Sequence, residues 1–147
     1  MTILDSKGQL SLEYILSSMI VILIISLISV PILLTTMNYS KDIVDSINSK
    51  AELSKITDAL DYCYASGKGS KRVVYLDFNQ NADIQLSNDG KKGIATVDLN
   101  MSDGFKEISK SFDCPDLNEN IHISKGFNRI MVEWNEESNK IEVYRAI

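Results

Sequence analysis

Glu13 is a carboxylate at the front edge of a run that carries no charged residue from Ile15 to Leu34. A carboxylate in apolar surroundings is costly unless water solvates it or a cation pairs with it. Two readings of the residue follow. Glu13 is either solvated beside lipid headgroups and favoured by the positive end of a helix dipole, or it meets a cation when apolar helices pack together. Other candidates for chemistry are sparse. Cys63 and Cys114 are the two cysteines and His122 is the only histidine. That set is too small for a zinc site, and IHIS around His122 alternates like a strand, so His122 reads as structural or surface. DLNMSDG (Asp98–Gly104) opens like a calcium loop, but Gly104 comes one place late and Ser109 stands where a bidentate Glu is required. It reads as a turn, and DCPD (Asp113–Asp116) as a loop. No phosphate loop or nucleophile elbow is present. The expectation is a protein that is not an enzyme and takes no metal or cofactor. Asn38-Tyr39-Ser40 and Asn100-Met101-Ser102 are Asn-x-Ser tripeptides, each a possible N-glycosylation acceptor.

The elements that hold these residues follow from hydrophobic pattern. The apolar tract is about twenty residues long, roughly 30 Å as a helix, which matches a bilayer's hydrocarbon core. No A-x-A cleavage site follows it, so it stays with the mature chain. Little flanking charge orients it, and so brief a polar leader favours the N-terminus inside and the bulk outside. From about Gln9 the helix signal continues to about Ala65, on the order of 80 Å, interrupted only by Pro31. Inside an embedded helix proline is tolerated, so a kink near Pro31 is expected. Past the tract, Ile43, Val44, Ile47 and Ala51 fall on one face, while Leu53, Ile56, Ala59, Leu60 and Cys63 fall on another. One partner cannot cover both. Either the helix bends or breaks near Lys50, or the later face packs on the chain's own domain and the earlier face on another molecule.

After Ser66-Gly-Lys-Gly69 the period changes from helix to strand. Val74, Leu76 and Phe78 alternate with polar neighbours, as do Ile84 and Leu86, then Ala95, Val97 and Leu99 beyond NDGKKG. Ile130, Val132 and Trp134, then Ile141 and Val143, repeat the pattern. The fold class is therefore α+β, a long N-terminal helix with a small antiparallel sheet packed on the Leu53–Cys63 face. Net charge is -5, and the basic stretches around Lys68 to Arg72 and Gly90 to Lys92 are short, so no nucleic-acid partner is expected. With the domain outside the cell, Cys63 and Cys114 would form a disulfide closing about fifty residues, worth roughly 4 kcal/mol. Two unrelated buried thiols are the alternative.

KGQLSLEY joins these observations. A basic residue, Gly, then Gln-x-Ser-x-Glu and an aromatic stand directly against a transmembrane-length helix, as Lys7, Gly8, Gln9, Ser11, Glu13 and Tyr14. This resembles archaeal type IV pilin-like proteins with the class III prepilin signal peptide, over about residues 7 to 34. Asp5 departs from the basic character of such leaders by offsetting Lys7. The resemblance implies a cleaved leader (1–8), a long helix (9–66, filament core about 15–34) and an extracytoplasmic domain (67–147). It implies a prepilin peptidase that cuts between Gly8 and Gln9, leaving Glu13 at the position where pilins carry a carboxylate. The new amine at Gln9 would then meet Glu13 of a neighbour. The implied partners are that peptidase, neighbouring pilin subunits, the assembly machinery in the membrane, and lipid before assembly. The alternative is a membrane-anchored binding domain or a minor pilin that forms no long fibre.

Overall fold

Helix α1 (Ser6–Ser66) passes through Pro31 and Lys50 without interruption. The computed structural model describes residues 6–88, 92–114 and 117–146, with side chains from Ser11 onward. The helix starts three residues ahead of Gln9 and stops where the Ser66–Gly69 breaker requires. Gly67 adopts φ +85°, a left-handed conformation that glycine takes without penalty. Its amide donates to the Cys63 carbonyl at 3.1 Å, and the Ser70 hydroxyl donates to the same oxygen at 2.9 Å. Two compact units divide the chain, Met1–Ser40 and Lys41–Ile147.

In the first unit the side chains of Ser11 to Leu34 all stand exposed. The hydroxyls of Ser18, Ser26, Thr35 and Thr36 each donate at 2.8 Å to a carbonyl three or four residues earlier. These polar groups are thus satisfied within the helix, as passage through hydrocarbon demands. The chain has one helix long and apolar enough to cross a membrane among the described residues.

The second unit holds seven strands: β1 (Lys71–Phe78), β2 (Ala82–Asn88), β3 (Gly93–Met101), β4 (Gly104–Phe112), β5 (Glu119–Ile123), β6 (Gly126–Asn135) and β7 (Lys140–Arg145). They form two antiparallel sheets instead of the single sheet expected, in orders β1-β6-β7 and β4-β3-β2-β5. The β5 and β7 strands meet where the Val143 amide donates to Glu119 Oε2 at 3.0 Å. The whole of β4 escapes pattern reading because only Ile108 and Phe112 on its inner side are buried. Lys110 takes an inner place and reaches Asp58 at 3.1 Å and the Ser54 hydroxyl. Asp98–Gly104 is the end of β3 and a two-residue hairpin turn, Met101 pairing with Gly104. Residues 89–91 of NDGKKG and 115–116 of DCPD lie outside the described residues.

The core is built from the inner sides of both sheets and from Leu53, Ile56, Ala59, Leu60 and Cys63 of α1, each at most 1% exposed. Every predicted inward residue of the strands is buried except Trp134, which is half-buried and stacks on Tyr64 at 5.8 Å between ring centroids. Phe112 lies across Gly93, its register partner; a Cβ built there would stand 2.1 Å from the ring. Gly93→Ala should therefore cost about 1–3 kcal/mol through overpacking, and Leu60→Ala about 2–5 kcal/mol through a cavity at the centre of the core. Denaturant unfolding measures both, and wild-type midpoints in either variant would contradict this packing.

Candidate functional site

Glu13 and Tyr14 lie within α1, and both side chains are exposed, Tyr14 at 81%. The side chains of Lys7 and Gln9 lie outside the described residues; the backbone of residues 6–10 is helical. Gln9 and Glu13 are four residues apart, so they share one helix face at a separation of roughly 6 Å along the axis. Farther along, Met19, Leu23, Ser26, Leu27, Val30 and Pro31 recur on one exposed side of the helix. Pro31 supplies no N–H, so the Leu27 carbonyl lacks its usual helical donor.

The domain-facing stripe of α1 is longer than its apolar part. Asp45, Ser49 and Glu52 are buried and lie on the same side as Leu53, Ile56, Leu60 and Cys63. Two of these polar members, Asp45 and Glu52, are held by hydrogen bonds. Asp45 accepts from the Asn79 amide at 2.7 Å, and Glu52 binds Lys55 Nζ at 2.7 Å and the Asp77 amide at 3.2 Å. Asn48 Nδ2 donates to the Asp77 carbonyl at 3.1 Å, and Asp42 accepts from the Ser102 amide at 3.0 Å. Helix side chains thus supply hydrogen bonds to the edge of β1 that β6 does not cover. The opposite face stays open: Ile43, Val44 and Ile47 are 60%, 59% and 65% exposed, and Ala51 is exposed too. A break at Lys50 is therefore not what separates the two faces.

Both cysteines are buried in the same core. Cys63 Sγ lies 3.7 Å from the Val132 carbonyl. Burial pushes the Cys63 thiol up, opposed by the Ser70 hydrogen bond and the Arg72 charge. The Asp113 amide donates to Asp61 at 2.6 Å, and Cys114 and Tyr64 line one small cavity of about 140 Å³. The last helical turns and the Cys114 segment are therefore neighbours. His122 is exposed on β5, with Nδ1 2.7 Å from Asp83, and no cluster of metal-ligating side chains occurs among the described residues. Asn38 and Asn100 are both exposed. Pattern reading missed the polar stripe Asp45–Ser49–Glu52, because a search for apolar faces passes over it. Its only trace in the sequence is the spacing of four and three that runs on into Leu53 and Ile56.

No protein-family model, curated protein or solved structure matches this chain.

Two carboxyl groups of the domain have displaced proton affinities with clear causes. On the outer face of the three-stranded sheet, hydrogen bonds from Lys71 and then Tyr144 hold Glu133 below the ordinary carboxylate range. At the seam between the sheets, burial pushes the Glu119 carboxyl above its ordinary value of 4.5, Glu142 adds to the rise, and the Val143 amide opposes it. The folded state therefore holds the Glu119 proton more tightly than the unfolded chain does. Its contribution to stability is full below the ordinary value and is lost as pH rises through the raised one. Glu119→Gln keeps an acceptor for Val143 and cannot ionise. It should gain on wild type as pH is raised from 4 to 7, followed by thermal midpoints; parallel pH profiles would refute the assignment.

Proposed function

We propose that this chain is the structural subunit of an extracellular type IV pilus-like filament. It enters the membrane as a precursor with its N-terminus in the cytoplasm and its domain outside. A prepilin peptidase cuts between Gly8 and Gln9, and the mature chain assembles through its helix over residues 9 to about 51. The observation that carries this reading is the six-position match from Lys7 to Tyr14 set directly against a helix of membrane-spanning length. The face of Ile43, Val44 and Ile47, left open by the domain, supports it, because contiguous exposed apolar surface marks a partner.

Cleavage would couple to assembly through charge. Cutting creates an α-amine at Gln9, close to Glu13 on the same helix face. In a packed helix core that amine meets Glu13 of a neighbour and sets the register, a use of buried ion pairs with good precedent. Uncut chains offer no amine there. Outside the cell a disulfide between Cys63 and Cys114 would tie the last turns of α1 to the loop after β4. The second reading is an anchored binding domain or minor pilin, which the exposed aromatic rings of Phe105 and Phe127 favour. Fibre formation separates the two.

Peptide mass spectrometry without reduction, on protein recovered from cells, should find Gln9 as the new N-terminus and Cys63 cross-linked to Cys114. A chain beginning at Met1, or beyond residue 34, would remove the filament reading; two thiols that label readily would remove the disulfide alone. Substituting Glu13→Val or Ile47→Glu should leave the domain's unfolding midpoint unchanged, since both positions are exposed, and should lower filament yield at least about tenfold, the equivalent of 1.4 kcal/mol per contact. Normal filaments from Glu13→Val would show that the ion-pair account is wrong.

A further inference from the structure

The outer face of the four-stranded sheet holds an open groove of about 480 Å³, inside the span of ligand clefts, roughly 300–1,000 Å³. Strand alternation builds it. Gln85 of β2, Asp98 and Asn100 of β3, and Asn120 of β5 point outward, while Ile84, Leu86, Val97, Leu99 and Ile121 point into the core. None of those four outward side chains makes a hydrogen bond among the described residues, so their donors and acceptors face the groove and the solvent. The His122–Asp83 pair lines the same groove. Phe105 of β4 also lines it and is 83% exposed. A phenyl ring gains about 2 kcal/mol from burial, yet this one is left in water.

Phe105 is the register partner of Asn100. Directly opposed residues of an antiparallel pair leave the same face with their Cβ atoms roughly 4.5–5.5 Å apart. Asn100 is also the first residue of Asn100-Met101-Ser102, which runs into the two-residue turn of the β3–β4 hairpin. Its backbone is held on both sides. With its amide turned to satisfy both groups, Gln80 accepts from the Asn100 N–H at 3.3 Å and donates to the Asn100 carbonyl at 3.2 Å. The Ser102 amide is fastened to Asp42 of α1 at 3.0 Å. An acceptor asparagine, an exposed ring beside it and an amide-lined groove beyond it are therefore presented by rigid backbone.

We propose that Asn100 carries an N-linked saccharide and that this groove is its seat, the first sugar ring lying on Phe105. The inference rests on the export proposed above, because attachment needs the domain outside. Attachment joins Asn100 Nδ2 to the anomeric carbon of a saccharide activated as a lipid-linked phosphate ester. The phosphate-bearing lipid leaves with the bonding electrons, and the amide gives up one proton. A sugar ring has an apolar C–H face that an aromatic ring can cover, and hydroxyls that amides both donate to and accept from. Asp83 and Asp98 accept hydroxyls and repel anions, so the seated sugars are neutral.

The test uses the full chain recovered from its own cells. Its tryptic peptide Gly93–Lys106 should carry a saccharide mass on Asn100, and Ser102→Ala should abolish it while keeping the backbone bond to Asp42. In the sugar-bearing protein Phe105→Ala should lower the thermal midpoint by roughly 4 °C, and in the Ser102→Ala background by less than about 1 °C. A bare Asn100 in a chain already cut at Gly8–Gln9 would overturn this inference and leave the filament reading standing. So would an equal effect of Phe105→Ala in both backgrounds. An uncut chain whose domain stays inside the cell would overturn the filament reading and the attachment with it.

Discussion

Strand β1 pairs with β6 on one side only, and its other side must find partners or remain a template for unwanted pairing. Helix α1 supplies them with side chains: Asn48 to the Asp77 carbonyl, Glu52 to the Asp77 amide, and Lys55 to the Tyr75 carbonyl at 3.4 Å. At the other sheet, edge strand β4 meets the same helix through Lys110 with Asp58 and the Asp113 amide with Asp61. One edge strand of each sheet, β1 and β4, thus meets α1. This explains why the stripe facing the domain is still polar at Glu52 and turns apolar at Leu53. Edges need hydrogen bonds, and the centre of the core needs volume.

That arrangement commits one side of the helix and leaves the other free. Ile43, Val44 and Ile47 stand exposed, outside the core that the domain builds. In the first unit the apolar side chains are exposed all round and every described hydroxyl bond closes on the helix itself. Such a helix is long and apolar enough to cross a membrane, where no outside hydrogen bonds are demanded of it. Glu13 is the exception, a single charge whose partner depends on what surrounds it.

The two sheets divide their outer surfaces by chemistry. The three-stranded sheet shows Tyr75, Phe127, Met131 and Tyr144 with the Lys71–Glu133 pair among them. The four-stranded sheet shows amides, carboxylates and Phe105. The second combines an open groove with outward amides and the Asp98 carboxylate, side chains that make no hydrogen bond among the described residues.

Much of the plan was legible in residue order. The helix end follows from the Ser66–Gly69 breaker, and most of the buried apolar residues of β1, β2, β3, β6 and β7, with the helix face from Leu53 to Cys63, follow from periods of 2 and 3.6. Those periods report burial of apolar groups against water, a local property of residue type. Three features were decided only by tertiary structure. Strand β4 places Lys110, which reaches across to α1, at an inner position, so it lacks a run of alternating apolar residues. The division into two sheets depends on which edges pair, and pairing is non-local. Asn100 is marked in the chain by its Asn-x-Ser tripeptide, but its pairing with Phe105 appears only when antiparallel register sets them side by side. Sequence alone determined what must leave water; the folded backbone determined which polar groups would meet, because hydrogen bonds and cross-strand neighbours depend on positions that only the completed sheets supply.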